Sequence, residues 1–239
     1  MIWHKIQGAG GGGATDPFFS NVTILAHFDG ANGGSSLIDS TGNCILDGTE
    51  GSVDATTTTS QLKFGTASLD CSSGNAYVAI ASATTGVMDF GTNDFTIEAW
   101  VYRTASARQF ICDSRQSTGN AGSLQFVIDS DQLTWSASTG VESGRTTTTV
   151  PLNQWVHVAL CNRNNIARMY INGEIGDTSS LTINLVDGVG GAYPPVIAAS
   201  GFTRGNARLT GYLDDFRITK GVARYFVDFT PPTEPFPDS

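Results

Sequence analysis

An all-β fold, an antiparallel β-sandwich, is what the sequence predicts, and three observations carry that reading. Short runs rich in Val, Ile, Phe, Tyr and Thr recur from Val22 onward, separated by clusters of Gly, Asn, Asp and Ser. Almost nothing repeats at helical spacing, so the crossover helices that a parallel sheet needs are not on offer. The composition agrees, because 28 glycines and only 15% charged residues in 239 make a turn-rich, helix-poor chain.

Residues 1–18 read as an N-terminal extended arm with a Gly-rich linker. On an extended strand Met1, Trp3 and Lys5 take one side and Ile2, His4 and Ile6 the other, too few to stand alone, so the arm is expected to dock into a partner sheet or groove. The run Gly8 to Gly13 spans at most about 20 Å. A sandwich is expected over residues 19–230, a span one all-β domain can use whole. Its best strands are Val22 to Phe28, Ala76 to Ile80, Phe95 to Arg103, Leu124 to Asp129, Trp155 to Asn162, Ile166 to Ile171 and Tyr212 to Thr219. Within Phe95 to Tyr102, alternation puts Phe95, Ile97, Ala99 and Val101 on a core face and Thr96, Glu98, Trp100 and Tyr102 on the other. Asn172-Gly173 between Met169-Tyr-Ile171 and Glu174-Ile-Gly176 is the pair that a two-residue hairpin favours. Residues 231–239 read as a Pro-rich tail.

Several function classes fall away on the same grounds. A net charge of −9 makes a phosphate-binding surface, and hence a nucleic-acid partner, a poor expectation. No apolar run approaches eighteen residues, and the first residues lack the layout of a secretory signal, so neither membrane insertion nor export is expected. Cys44, Cys71, Cys112 and Cys161 lie 27, 41 and 49 residues apart with no zinc pattern, and are expected as free thiols. None of Glu50, Glu98, Glu142, Glu174 and Glu234 has a second carboxylate two residues away, so the paired carboxylates of a glycoside hydrolase are missing from any one strand. Asp129 and Asp131 flank Ser130 at an expected hairpin turn, and His4, His27 and His157 are too scattered for a nucleophile triad.

Four blocks in order carry a family resemblance: Asp94-Phe-Thr-Ile-Glu-Ala-Trp-Val101, Trp155-Val-His-Val-Ala-Leu160, Met169-Tyr-Ile-Asn-Gly-Glu174 and Gly211-Tyr-Leu-Asp-Asp-Phe-Arg-Ile218, preceded by Phe64-Gly-Thr-Ala-Ser-Leu69 and Tyr77-Val-Ala-Ile80. Together they resemble a laminin G-like domain of the concanavalin A-like superfamily, and the likeness spans roughly Val22 to Thr230. His27-Phe-Asp-Gly30 and the closing stretch from Asp214 to Phe236 resemble the versions found in bacteriophage virion proteins.

The resemblance implies a jelly-roll sandwich of two sheets, in some members with a structural calcium ion at the rim or a glycan site. Asp214 matches the family's calcium-ligating position, with Asp29 and Asp39 as companions; the alternative is that Asp29 and Asp39 cap turns and Asp214 pairs with Arg217 or Arg224. For a glycan, Trp100, Tyr102, Trp135 and Tyr193 offer ring faces, with Asn120, Gln125 and Asn206 as polar neighbours, although aromatics in sandwich strands more often fill the core. The expectation is a non-enzymatic virion protein decorating a capsid or forming part of a tail or fibre. It would be made in the host cytoplasm, present in many copies or as a homo-oligomer beside other virion proteins, and able to bind cell-surface glycans. The alternatives are a stand-alone carbohydrate-binding lectin and, further off, a hydrolase or lyase.

Overall fold

A computed structural model describes residues 15–81, 86–116, 122–137, 142–182, 184–186, 193–204 and 206–239. The arm residues Met1, Ile2, Trp3, His4, Lys5 and Ile6, and the loop residue Asn120, lie outside the described residues. After a short 3-10 turn at Phe19–Asn21, the described strands are β1 (Val22–Ala26), β2 (Ile45–Asp47), β3 (Thr56–Thr58), β4 (Ser68–Asp70), β5 (Val78–Ala81), β6 (Phe95–Arg103), β7 (Gln109–Asp113), β8 (Gln125–Asp129), β9 (Gln132–Ser136), β10 (Gly144–Thr149), β11 (Trp155–Arg163), β12 (Ile166–Ile171), β13 (Glu174–Ser180), β14 (Val196–Ile197) and β15 (Gly211–Lys220). One sheet runs β13-β12-β11-β6-β15-β4-β3, with β1 also on β15; the other runs β10-β9-β8-β7-β14-β5-β2. The described pairings are antiparallel, as the lack of crossover helices requires.

Local chemistry sets the connections. Asn172 and Gly173 adopt φ of 49° and 82°, the left-handed pair that matches strand twist in a tight hairpin. Ser130-Asp131 and Asn164-Asn165 do the same without glycine, at φ of 52° and 65° and of 49° and 64°. Short polar side chains tolerate that region best. Gly173 has a second reason to lack a side chain, because a Cβ there would strike the carbonyl oxygen of Phe229.

The two inner faces make one core. Phe95, Ile97, Val156, Val158, Leu160, Phe216 and Ile218 are buried from the first sheet, against Ile80, Phe126, Ile128 and Leu133 from the second. Phe90 and Phe95 stack within it at 4.2 Å. Truncating a residue such as Phe216 to Ala removes contacts the rigid interior does not refill, at a cost of about 3 to 5 kcal/mol.

Two sequence expectations change here. Trp135 is 1% exposed and belongs to this core, with its Nε1 donating to Ser179 Oγ at 2.9 Å, so it offers no ring face to a sugar. The segment read as a Pro-rich tail packs onto the outer face of the first sheet: Phe236 is 3% exposed and its N–H donates to Asp215 Oδ2. Proline bars it from strand pairing, but side-chain burial needs no ladder. Cys71, Cys112 and Cys161 are buried free thiols, whereas Cys44 is only partly covered.

Candidate functional site

The outer face of the first sheet is built in rungs, because antiparallel partners in register point to the same side. The first rung crosses five strands: Trp155 opposite Tyr102, Tyr102 opposite Tyr212, Tyr212 opposite Asp70, and Asp70 opposite Thr56. Its three aromatic rings meet edge to face, with centroids 5.6 Å (Trp155 to Tyr102) and 5.8 Å (Tyr102 to Tyr212) apart. All five side chains are half-buried. Close approach makes the row: a Cβ on Gly211, at φ 143°, would strike the Tyr102 carbonyl oxygen, so glycine lets β15 lie tight on β6 here.

The second rung sets His157 and Asp214 on either side of Trp100. Trp100, a sequence candidate for sugar stacking, is only 5% exposed, because Lys63 lies 3.9 Å over its ring and Phe64 meets it edge-on. That lid is tied down by Asp214, whose Oδ2 accepts the N–H groups of Lys63 and Phe64 at 2.8 and 3.1 Å. Burial pushes the Asp214 carboxyl up to about 7 against those hydrogen bonds. The indole Nε1 atoms of Trp100 and Trp155 and Nδ1 of His157 are buried with no hydrogen-bond partner.

The next rung is ionic. Glu98 Oε1 accepts Arg217 Nε and Nη2 at 3.0 and 2.7 Å, while Oε2 accepts the Tyr225 hydroxyl at 2.7 Å and faces His157 Nε2 at 3.2 Å. Asp16 completes the cluster with Arg217 and Arg224, at 3.1 and 2.6 Å. Complete burial alone would push Glu98 up, but Arg217, His157 and Arg224 together hold it well below the usual carboxylate range.

A roof closes this part of the face. The chain after β15 lays Tyr225 flat on Phe229 at 3.6 Å, both rings against His157 and Tyr170. Phe236 sits under the Arg217 guanidinium at 3.7 Å, and the Asp16 N–H donates to the Ser239 carbonyl at 2.6 Å. At the edge of the roof is a cleft of about 440 Å³ lined by Asn172, Glu174, Asp228, Phe229, Thr230 and Pro231. Asn172 Oδ1 accepts the N–H of His157, so the cleft begins one rung from Trp155.

The remaining sequence candidates are dispersed. Asp29 accepts Thr66 N–H, Thr66 Oγ1 and Ala67 N–H. Asp39 accepts N–H groups of Leu25, Thr41, Asn43 and Cys44. With Asp214 they are three separate loop anchors, each holding backbone amides, and no group of three or more His, Cys, Asp or Glu among the described residues could hold a metal. The donor set as placed does not fit calcium, which takes six to eight oxygens. Arg217 pairs with Glu98 and Asp16 rather than with Asp214. Tyr102 lies in the aromatic row, whereas Tyr193 is exposed just before β14 and Asn206 on the loop after it. Gln125 is buried. Trp155 and Tyr212 were not singled out from sequence; each ends a strand, and only the register across β11, β6 and β15 brings them together.

Comparison with known proteins matches this architecture. Domain 4 of AbnA, a GH43 extracellular arabinanase from Geobacillus stearothermophilus, solved with arabinotriose, superposes at a TM-score of 0.60 with 18% identity over 85% of this chain and 94% of that one. The binding domain of botulinum neurotoxin DC in complex with SialylT superposes at 0.55 with 13% identity over 87% of this chain, which spans 50% of that structure. At such identities the likeness is one of fold. No curated protein matches the sequence. The profile of the laminin G-like family described as the concanavalin A-like lectin/glucanases superfamily covers residues 72–223, from the approach to β5 through β15 to the start of the roof, and the chain belongs to that family.

Proposed function

We propose that this chain is a non-enzymatic glycan-recognition domain, and the observation that carries the reading is the open aromatic row Trp155, Tyr102 and Tyr212. Ring faces and edges serve the apolar patches of a sugar, and Asp70 in the same rung, with Asn172, Glu174 and Asp228 in the neighbouring cleft, serves its hydroxyls. The solved neighbours support a saccharide ligand, since one holds arabinotriose and another SialylT. The absence of catalysis rests on Glu98, the one carboxylate on the outer face of β6, which is buried and committed to Arg217, Tyr225 and His157.

The finer reading places the domain in a bacteriophage virion, as a capsid decoration or a tail or fibre component present in many copies and anchored by Met1 to Ile6. It rests on the likeness of the opening His27-Phe-Asp-Gly30 and the closing stretch to virion proteins and on the pattern of the arm. Deleting residues 1–13 is expected to leave the melting temperature unchanged and to abolish incorporation into particles; full incorporation of the truncated chain sinks the anchoring role. For the glycan, a neutral-saccharide array followed by titration calorimetry decides. Trp155→Ala and Tyr212→Ala are each expected to weaken binding about tenfold, and retention unchanged in both variants removes the row as the site.

A further inference from the structure

A second surface, on the other sheet, carries an arginine that the fold positions but does not neutralise. The loop after β14 is tied to itself and to β7: Ala198 accepts from Leu209 N–H, Ser200 from Arg204 N–H, and Ala207 from Phe110 N–H. Arg204 and Ala207 sit in it at φ of 42° and 54°, a left-handed region that costs non-glycine residues free energy and that the surrounding bonds must hold. Arg204 forms an ion pair with Glu50, donates Nη2 to the Pro194 carbonyl at 2.9 Å, and lies 4.9 Å over the ring of Tyr193, which is 42% exposed. Arg208 lies 5.5 Å over the ring of Tyr77, whose hydroxyl is anchored on the Glu50 carbonyl.

Arg208 donates Nε to the Arg204 carbonyl at 2.6 Å, and Nη1 to Asn75 Oδ1 at 3.2 Å and Ser52 Oγ at 3.4 Å. These bonds hold the guanidinium plane but supply no charge. Elsewhere the pattern differs: Arg103, Arg115, Arg145, Arg217 and Arg224 each meet a carboxylate. Among the described residues no carboxylate lies within ion-pair distance of Arg208, and its Nη2 makes no hydrogen bond. In a chain of net charge −9, an oriented and partly exposed guanidinium with a free donor edge invites an external anion. Tyr193, exposed just before β14 and held against Arg204, supplies a ring, and Asn206, exposed two residues before Arg208, supplies an amide.

We propose that Arg208, held by Asn75 and Ser52, with Tyr193 across Arg204 and Asn206 on the same loop, binds the anionic group of an acidic saccharide. This site shares no residue with the aromatic row and stands or falls apart from it. The anion can be a sugar carboxylate or a phosphate on a polyol chain, since both accept from a guanidinium fork; the exposed ring of Tyr193 offers a surface for the saccharide or polyol that bears it. Binding is local rather than steered, because the long-range field of the chain repels anions, and it weakens as salt screens the contact.

The test is calorimetric titration of the full chain with three probes: an oligogalacturonate, a glycerol-phosphate oligomer and a neutral arabino-oligosaccharide. The expected result is binding of an acidic probe that Arg208→Ala weakens at least tenfold and Arg208→Lys weakens less, since lysine keeps the charge but not the fork. Trp155→Ala leaves that binding unchanged, and Tyr193→Ala weakens the acidic probe while sparing any neutral one. Which acidic probe binds distinguishes carboxylate from phosphate. Acidic probes bound equally by the parent chain and by Arg208→Ala overturn the proposal, as does a parent chain that binds neither acidic probe at millimolar concentration. Thermal unfolding of Arg208→Ala and Arg208→Lys checks that both retain the fold.

Discussion

The same three strands, β11, β6 and β15, carry two unlike regions a few residues apart. At one end the outward side chains are Trp155, Tyr102 and Tyr212, left half-open; further along they are His157, Glu98 and Arg217, sealed under Tyr225, Phe229 and Phe236. The sealed end takes ionised groups out of water, which is tolerable only because each oxygen of Glu98 and each arm of Arg217 has a partner. The open end has no charged network to satisfy, and its edge-to-face rings leave their hydroxyls to solvent. Coverage, rather than strand chemistry, therefore divides structure from recognition on this sheet: the roof consumes one half of the face and ends where the aromatic row begins.

The sharpest way to break the contrast is to uncouple the sealed end. Glu98→Ala leaves Arg217 buried and short of its main partner, and is expected to cost about 3 to 5 kcal/mol by urea unfolding. A cost under about 1 kcal/mol would show that water reaches the cluster. Phe236→Ala removes a buried ring from beneath Arg217 and is expected to cost about 3 kcal/mol. A chain ending at residue 230 should lose at least as much; if its unfolding midpoint is unchanged, residues 231–239 are an appendage after all.

Acid distinguishes the two ends next. Glu98 is held down by Arg217, His157 and Arg224 against its burial, and Asp16 by Arg224 and Arg217 in the same sense. A carboxyl depressed in the folded state contributes stability that is fully present above its unfolded pKa and is lost as pH falls. The contribution of these two carboxyls is therefore expected to hold down to about pH 4.5, the ordinary glutamate value, and to fall steadily below it. The drop should survive added salt, since buried pairs are little screened. In Glu98→Gln the acid slope should be shallower, and a slope equal to that of the parent chain would move the titrating group elsewhere.

Much of the sandwich was legible because it is written in local signals. Alternation put Phe95 to Arg103 on a strand with the right residues inward, and Asn172-Gly173 marked its hairpin. Trp100 was read correctly as facing outward beside Tyr102, but outward is not open: its cover comes from Lys63 and Phe64, a segment held by Asp214 from the far end of the chain. Trp155 and Tyr212 looked like strand ends of no consequence, since nothing in either segment states that both face Tyr102. Glu98 and Arg217 carry no spacing signal for the same reason, their pairing being a product of sheet order and of the bulge at Asp215, at φ 46°. Phe236, among prolines, was read by its backbone and is explained by its ring.

The smallest effect on stability belongs to the open row, and it is the one that separates the two regions most cleanly. Trp155 and Tyr212 contact Tyr102 by ring edges and leave part of each side chain in solvent, so truncation to Ala forfeits only part of an aromatic pair, about 1 kcal/mol apiece. The two residues do not touch one another in the row but share Tyr102, so the double variant should cost slightly less than the sum. Tyr102→Phe keeps every ring contact and removes a hydroxyl that has no partner among the described residues, so its unfolding midpoint should match that of the parent chain while any sugar bonded to that hydroxyl is held less tightly. Losses of about 3 kcal/mol or more in either Ala variant, equal to those at Glu98 or Phe236, would mean that the row is a structural seam, with no surplus left for a ligand.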